Sequence, residues 1–390
     1  MKRKVCIITG TRAEWGLLSG IAQKLKDRDD VELQIIATNM HLSRCYGYTI
    51  KEIYSDGFTV DAEVPMPDNT DTHVAATKAM GVCLSGMADA FSRLQPDVAV
   101  ILGDRYEMLA VASAATIMRI PIVHICGGSI TEGAIDDNIR HAITKMSALH
   151  LTETECYRKR VIQMGETPNR VINTGSIGVY NILNETLMTK QEIEESLGVQ
   201  IGDNTLLVTL HPATLDDVPV KDRCQSLLDA LENFPETQII FTYPNNDMNG
   251  RIIIDMIENY AKCNRDRVKV VPSLGKKRYI SILNYVSAVI GNSSSGIIEV
   301  PSMRIPTVDI GIRQRGRIAA ESVIHCNEDC KSITDAITYA LSPAGQAVAK
   351  NAINPYYRNN ALEMIVNAIV DTPMEVLKNK RFYDIENVEC

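Results

Sequence analysis

DVAVILGDRYEMLAVASAATIMRIPIVHIC, residues 97–126, holds the fold in miniature. DVAVILG (97–103) and PIVHIC (121–126) are short apolar runs, unbroken rather than alternating. A strand reads that way when both its faces are buried, as in a parallel sheet covered by helices on each side. Between them, Met108 to Met118 has the pattern of the helix that a parallel crossover needs. A glycine and a cluster of charges, GDRYE, interrupt the apolar pattern where the first strand ends.

The same alternation runs outward in both directions. VCIITG (5–10), ELQIIAT (32–38) and LHLTET (149–154) complete a first series of strands. LLVTLH (206–211), QIIFTY (238–243), VKVVPS (268–273), SAVIGN (287–292) and PTVDIG (306–311) make a second, with a helical pattern at Asp222 to Asn233. Two such series predict an α/β chain of two Rossmann-like, doubly wound domains with a cleft between them. The junction falls in TGSIGVYNILNE, between Thr174 and Glu185. The expected division is therefore 1–176, 177–358 and a helical tail at 359–390, which either belongs to the second domain or packs back on the first. A chain of 390 residues is longer than one ordinary core requires.

Bulk composition excludes several classes. Hydrophobic content of 45% and charged content of 23% are those of a soluble globular protein. A net charge of −8 argues against nonspecific nucleic-acid binding, which needs a basic face. No apolar run approaches the ~18 residues that span a bilayer. MKRKVCIITG reads as a first strand rather than a leader, so a cytoplasmic protein is expected, with no membrane partner. The ten cysteines show no CxxC pair or zinc spacing and read as reduced thiols.

Ligands of open α/β sheets sit beyond the carboxyl ends of the strands, and the unusual polar groups cluster there. GTRAEWG, GDRYE and GGSITEGAIDD follow strands of the first series, and HPATLDD, YPNND, GNSSSGIIE and GIRQRGR follow strands of the second series. In GNSSSGIIE (291–299), the hydroxyls of Ser293, Ser294 and Ser295 and the N–H groups at a helix start beside Gly296 can cradle phosphate. A plain serine cap on a helix explains the same residues. Glu299, one turn into that helix, can accept from a ribose diol, and the missing GK[ST] ending excludes a Walker loop. His211 at a strand end can donate to a phosphate oxygen. Arg12 and Arg105, fixed beside glycines, suit bidentate phosphate contact, and Arg313 lies nearest a strand end in IRQRGR. Asp104 follows Gly103 directly, and Asp136 and Asp137 open a helix, where capping also favours carboxylates. Asp137 is placed to pair with Arg140 and His141 one turn on, leaving Asp136 to face a ligand.

Taken together, GTRAEWG, MHLSRCYGYTIKEI, LGDRYE, EGAIDDNIRHAITKMSALH, RVIQMGE, YPNND, GNSSSGIIEVPS and DIGIRQRGR resemble the hydrolysing UDP-N-acetylglucosamine 2-epimerases of bacterial sialic acid synthesis. They run in order from residue 9 to about residue 317. The resemblance implies a GT-B architecture, a homodimer or homotetramer, and UDP-N-acetylglucosamine and UDP as small-molecule partners, with no metal and no cofactor. It implies anti elimination of UDP to 2-acetamidoglucal, followed by syn hydration to N-acetylmannosamine. By position it makes Asp104 and Asp136 the acid/base carboxylates. Arg12, Arg105, His211, Ser293 and Ser294 then hold diphosphate, and Glu299 the ribose. Asn245 and Arg313 line the same cleft, and the uracil lies near Val270, Val271 and on to Leu274.

One departure stands out. The family carries a glutamate in the sequence I-E-G-G or G-G-E at this strand end, where the present chain has Cys126 and Ser129. Serine cannot shuttle a proton usefully at neutral pH. Three explanations compete: Glu132 or Glu107 has taken over the role, Ser129 is an introduced substitution, or the protein turns over its nucleotide sugar poorly. A related enzyme acting on a UDP-2,4-diacetamido-trideoxy sugar, a glycosyltransferase of the same architecture and a nucleotide-sugar binding protein are the alternatives.

Overall fold

The computed structural model describes residues 2–45, 47–67, 72–132, 135–212, 218–244 and 249–385. The chain forms two compact units. The first comprises Met1–Ser129, Asp136–Tyr180 and Arg358–Cys390, and the second Ile130–Ile135 and Asn181–Tyr357.

The first unit is built on β1 (Arg3–Thr9), β2 (Val31–Thr38), β3 (Ala62–Val64), β4 (Val98–Leu102), β5 (Ile122–Ile125), β6 (Leu149–Thr152) and β7 (Val171–Asn173). They form a parallel sheet in the order β3-β2-β1-β4-β5-β6-β7. The second unit has β8 (Thr205–Thr209), β9 (Gln238–Thr242), β10 (Val268–Val271), β11 (Ala288–Gly291), β12 (Thr307–Ile310) and β13 (Val323–Cys326). Its order, β10-β9-β8-β11-β12-β13, repeats the winding of the first, again all parallel. The predicted pair of doubly wound Rossmann-like domains is thus present, as the GT-B class requires.

The winding places the polar loops. In each sheet the chain leaves its first strand in one direction, returns, and continues in the other. The reversals lie between β1 and β4 and between β8 and β11. Loops leaving adjacent strands at such a point diverge and open a crevice at the carboxyl edge. Gly10–Arg12 and Gly103–Arg105 flank the first reversal; His211 and the 291–295 loop flank the second.

Both faces of each sheet are covered. On β1, Val5 and Ile7 pack with Leu18, Ile21 and Leu25 of the helix Arg12–Lys26, whereas Cys6 and Ile8 pack on the other face with Met87, Phe91, Met108 and Val111. The helix Ala361–Asp371 presses Leu362, Ile365, Val366 and Ile369 into the core that helix Arg12–Lys26 shares. Three strands escaped the apolar-run criterion: β3, β7 and β13. All three stand at sheet edges, are three or four residues long, and are not sealed on both sides, so they carry no continuous apolar run. Strand β8 ends at Thr209, so His211 stands two residues beyond the strand end rather than closing it.

Candidate active site

At the reversal of the first unit one guanidinium organises the acidic groups. Arg140 projects from the helix Asp136–Met146 and is buried. Its Nε donates to Asp104 Oδ2 at 2.8 Å and its Nη2 donates to the same oxygen. Its Nη1 donates to Asp137 Oδ1 at 3.0 Å and to the Ser129 carbonyl at 2.9 Å. Burial works against the Arg140 charge, but Asp104, Asp137 and Asp136 outweigh it and raise its pKa. Asp104 therefore sits in a fixed orientation, a partly accessible carboxylate on a sealed support. The expected set of Asp137 with Arg140 and His141 is formed: His141 Nε2 is 3.5 Å from Asp137 Oδ2. Burial lowers the His141 pKa, and Asp137 opposes that shift.

Histidine 124 supports Asp104 from behind. Its Nε2 lies 2.8 Å from the Gly103 carbonyl and its Nδ1 3.1 Å from Thr144 Oγ1. Burial holds its pKa at about 4, so the ring is neutral at physiological pH. The glycine pair has a steric origin. A Cβ at Gly127 would meet Thr144 Oγ1 at 2.9 Å, and one at Gly128, where φ is +86°, would meet the Tyr157 carbonyl at 2.7 Å. The chain must pass between two helices here. Cys126, just before them, also adopts a left-handed conformation with φ +68°, unusual for a non-glycine residue.

The candidates for the missing proton relay separate. Ser129 is buried, its carbonyl held by Arg140. Glu132 is exposed and groups with the second unit, its N–H donating to the Arg315 carbonyl at 3.2 Å. Glu107 is fully buried and accepts from Arg105 Nε at 2.7 Å. Arg12 begins the helix after β1 and is exposed, 3.9 Å from Glu52.

In the second unit, Asn292 is the organiser. Its Oδ1 accepts from the His211 N–H at 2.7 Å and its Nδ2 donates to the His211 carbonyl at 2.9 Å. The Asn292 carbonyl in turn accepts from Arg313 Nη1 at 3.0 Å and Gln314 Nε2 at 2.9 Å. One buried amide thus ties the ends of β8 and β11 to the loop after β12. His211 is buried, and burial followed by the Arg313 charge pushes its pKa down to about 3; as a neutral imidazole it retains one N–H to donate. Ser293 caps the helix Ser294–Ile298 through backbone conformation, without a side-chain cap bond. Ser295 does not point its hydroxyl at open space: Oγ donates to Glu299 Oε2 and also meets the Tyr279 hydroxyl. The helix is only five residues long, so Glu299, expected one turn inside it, stands just past its end. Pro301, which cannot extend an α-helix hydrogen-bond ladder, enters a 3₁₀ turn over Val300–Met303. Gly296 packs so closely that a Cβ would lie 2.7 Å from Thr307 Cγ2 on β12. Val270 and Val271 lie at the end of the edge strand β10. Asn245 lies outside the described residues.

Comparison with known proteins gives the family. The sequence profile of the family described as UDP-N-acetylglucosamine 2-epimerase matches residues 23–370. The chain belongs to that family. It is 42% identical over 323 residues to the hydrolysing GDP/UDP-N,N'-diacetylbacillosamine 2-epimerase of Campylobacter jejuni, covering 83% of this chain and 84% of the relative. It is 38% identical to the polysialic acid biosynthesis protein P7 of Escherichia coli, covering 100% of this chain and 98% of the relative. The crystal structure of the UDP-GlcNAc 2-epimerase of Neisseria meningitidis bound to UDP-GlcNAc shares the fold, with TM-score 0.79 at 17% identity, over 95% of this chain and 100% of that one.

Within this epimerase-family chain, sequence reasoning singled out Asp104, Asp137, Arg140 and His141, which the fold brings together. It missed Glu14, His124 and Asn292. His124 carried a usable signal, a histidine inside an otherwise apolar buried strand. Asn292 lay within the GNSSSG motif but was hidden by the serines beside it. Glu14 looked like an ordinary acidic residue in a first helical turn.

Proposed function

We propose that this protein is a hydrolysing 2-epimerase of a UDP-linked 2-acetamido sugar. The supporting observation is the sealed Arg140, which holds the Asp104 carboxylate at the reversal of the first sheet in a chain of the epimerase family. A carboxylate removes the proton at C2 while the C1–oxygen bond to UDP breaks, giving a C1–C2 double bond. Water then adds across the double bond, its hydroxyl to C1 and a proton to C2 on the face opposite the one deprotonated, giving the free 2-epimer beside the UDP already released. Asp104 and Asp136 carry these proton transfers, for which positioned acids and bases contribute roughly 10²–10⁴-fold. Arg12, Arg105, His211, Ser293 and Ser294 hold the diphosphate as it leaves, with Arg313 beside His211. Glu299, oriented by Ser295, takes the ribose hydroxyls. The uracil lies against Val270 and Val271. Glu107, closed against Arg105, positions that arginine rather than transferring a proton itself.

The sugar is assigned as a UDP-2,4-diacetamido-trideoxy sugar, N,N'-diacetylbacillosamine, on the 42% identity to an enzyme named for it. UDP-N-acetylglucosamine is the second reading, favoured by the family description and by the GTRAE, GDRYE and GNSSSG motifs. Incubating the protein with each nucleotide sugar in D₂O, and following UDP release and the proton NMR spectrum, tests both levels. The expected product is a free sugar, deuterated at C2, formed faster from the diacetamido substrate. A product still linked to UDP would exclude the hydrolysing reaction. UDP release that requires an added acceptor would identify a transferase instead.

A further inference from the structure

Two buried carboxylates converge on Gly10 at the carboxyl end of β1. The Gly10 N–H donates to Glu14 Oε2 at 2.7 Å, and a Cβ at Gly10 would lie 2.8 Å from Glu107 Oε1. Both side chains are inaccessible, Glu14 at 5% and Glu107 at 0% exposure. Glu14 Oε1 and Glu107 Oε2 have no hydrogen-bond partner among the described residues. Among the described residues, Arg105 is a cation that reaches them, bonded to Glu107 Oε1. Two unscreened negative charges beside one guanidinium in a sealed space are unfavourable, so one carboxyl retains its proton.

We propose that Glu14 is that proton carrier and that its protonation sets how firmly Arg105 holds an anion. With Glu14 neutral, Arg105 faces one carboxylate, Glu107, and keeps attraction for a diphosphate. With Glu14 ionised, two carboxylates offset it and the hold weakens. Burial first, then the Glu107 charge, raise the Glu14 pKa to about 8 against the pull of Arg105 and the Gly10 and Thr11 N–H groups. Two other titratable groups described beside the pair stay neutral near that pH. His41, whose N–H donates to the Gly10 carbonyl, is held at about 4, and Cys83, which faces Glu107, is pushed up to about 12.

The inference rests on the reading of Arg105 as a diphosphate ligand. Calorimetric titration of the full-length protein with UDP, between pH 7 and 9 in buffers of different ionisation enthalpy, tests it. The wild type is expected to take up part of a proton on binding UDP near pH 8, and to bind about tenfold more weakly at pH 9 than at pH 7, one unit of differential interaction. Glu14→Gln, which mimics the protonated acid, should keep the affinity measured at pH 7 and lose both proton uptake and pH dependence. A folded Glu14→Gln variant with wild-type proton uptake would overturn the inference while leaving the function intact. Failure of the wild type to bind UDP would overturn both. If Glu14→Gln does not fold, Glu107→Gln reads the same coupling: losing the Glu107 charge should move the proton-uptake midpoint down by about one pH unit, and an unmoved midpoint would overturn the proposal.

Discussion

Replacing Arg140 by methionine removes a charge and at least four hydrogen bonds while roughly preserving volume. The guanidinium is 1% exposed; its partners Asp104 and Asp137 are 24% and 25% exposed. Breaking a buried ion pair by deleting one partner costs roughly 3–5 kcal/mol, because the other charge is left uncompensated. Here the two carboxylates retain some access to water, so the lower end applies, about 3 kcal/mol. The protein carries one tryptophan, Trp15, which is buried in the first unit with its Nε1 donating to Asp56 at 2.7 Å. Its fluorescence in a urea titration therefore reports unfolding of the unit that contains Arg140. Freed from its support, Asp104 should also lose its working orientation, and UDP release should fall in kcat by roughly 10²-fold or more with a smaller change in KM. Arg140→Lys keeps the charge but not the planar fork, and should fall between the two. A methionine variant destabilised by less than about 1 kcal/mol, a value expected only of a surface pair, would refute the account of Arg140 as a buried organiser. A kcat within threefold of wild type would refute its role in placing Asp104.

Four further outcomes follow from the geometry. Glu14 has its pKa raised in the folded state from 4.5 to about 8, so the native protein keeps a proton that the unfolded chain has released. Its contribution is full below pH 4.5 and is lost as pH rises to about 8, so Glu14→Gln should gain stability over wild type by roughly 2–4 kcal/mol at pH 8.5 relative to pH 4.5, measured by Trp15 fluorescence. Ser129→Glu introduces a carboxyl at the strand end where the family resemblance led us to expect one, and should change the rate of UDP release at least ~10-fold; an unchanged rate would remove position 129 from the proton machinery. Gly291 has φ +139° and a Cβ there would overlap the Thr209 carbonyl oxygen, so Gly291→Ala should prevent the second unit from folding, visible as lost far-ultraviolet circular dichroism or insolubility. Asn292→Ala removes the acceptor of the His211 N–H and a donor to its carbonyl, at about 1–3 kcal/mol each. UDP binding by calorimetry should weaken accordingly, while Asn292→Asp, retaining the acceptor, should preserve part of it.

The central strands were legible because residues such as Val98–Leu102 and Leu206–Val208 are buried on both faces, and that environment admits only apolar side chains in sequence. The winding followed from the alternation of those runs with helices, and the winding in turn located the rims where Asp104 and Ser293 stand. A glycine pair, a serine cluster and an acidic helix start were also visible as letters, since each marks a backbone constraint or a helix terminus. The short edge strands carried no such mark.

What any charged letter does was decided by tertiary structure. Arg140 and Asp104 are 36 residues apart, and nothing local distinguishes that guanidinium from one on a solvated helix face. Glu14 and Glu107 meet only because β1 and β4 are neighbours in the sheet, and Asn292 reaches His211 only because β8 and β11 are. The functional meaning of an ionisable group lies in its burial and its partners, and both are set by chain segments far apart in sequence. Apolar periodicity is a local consequence of the fold and so survives in the one-dimensional record; electrostatic partnership is not.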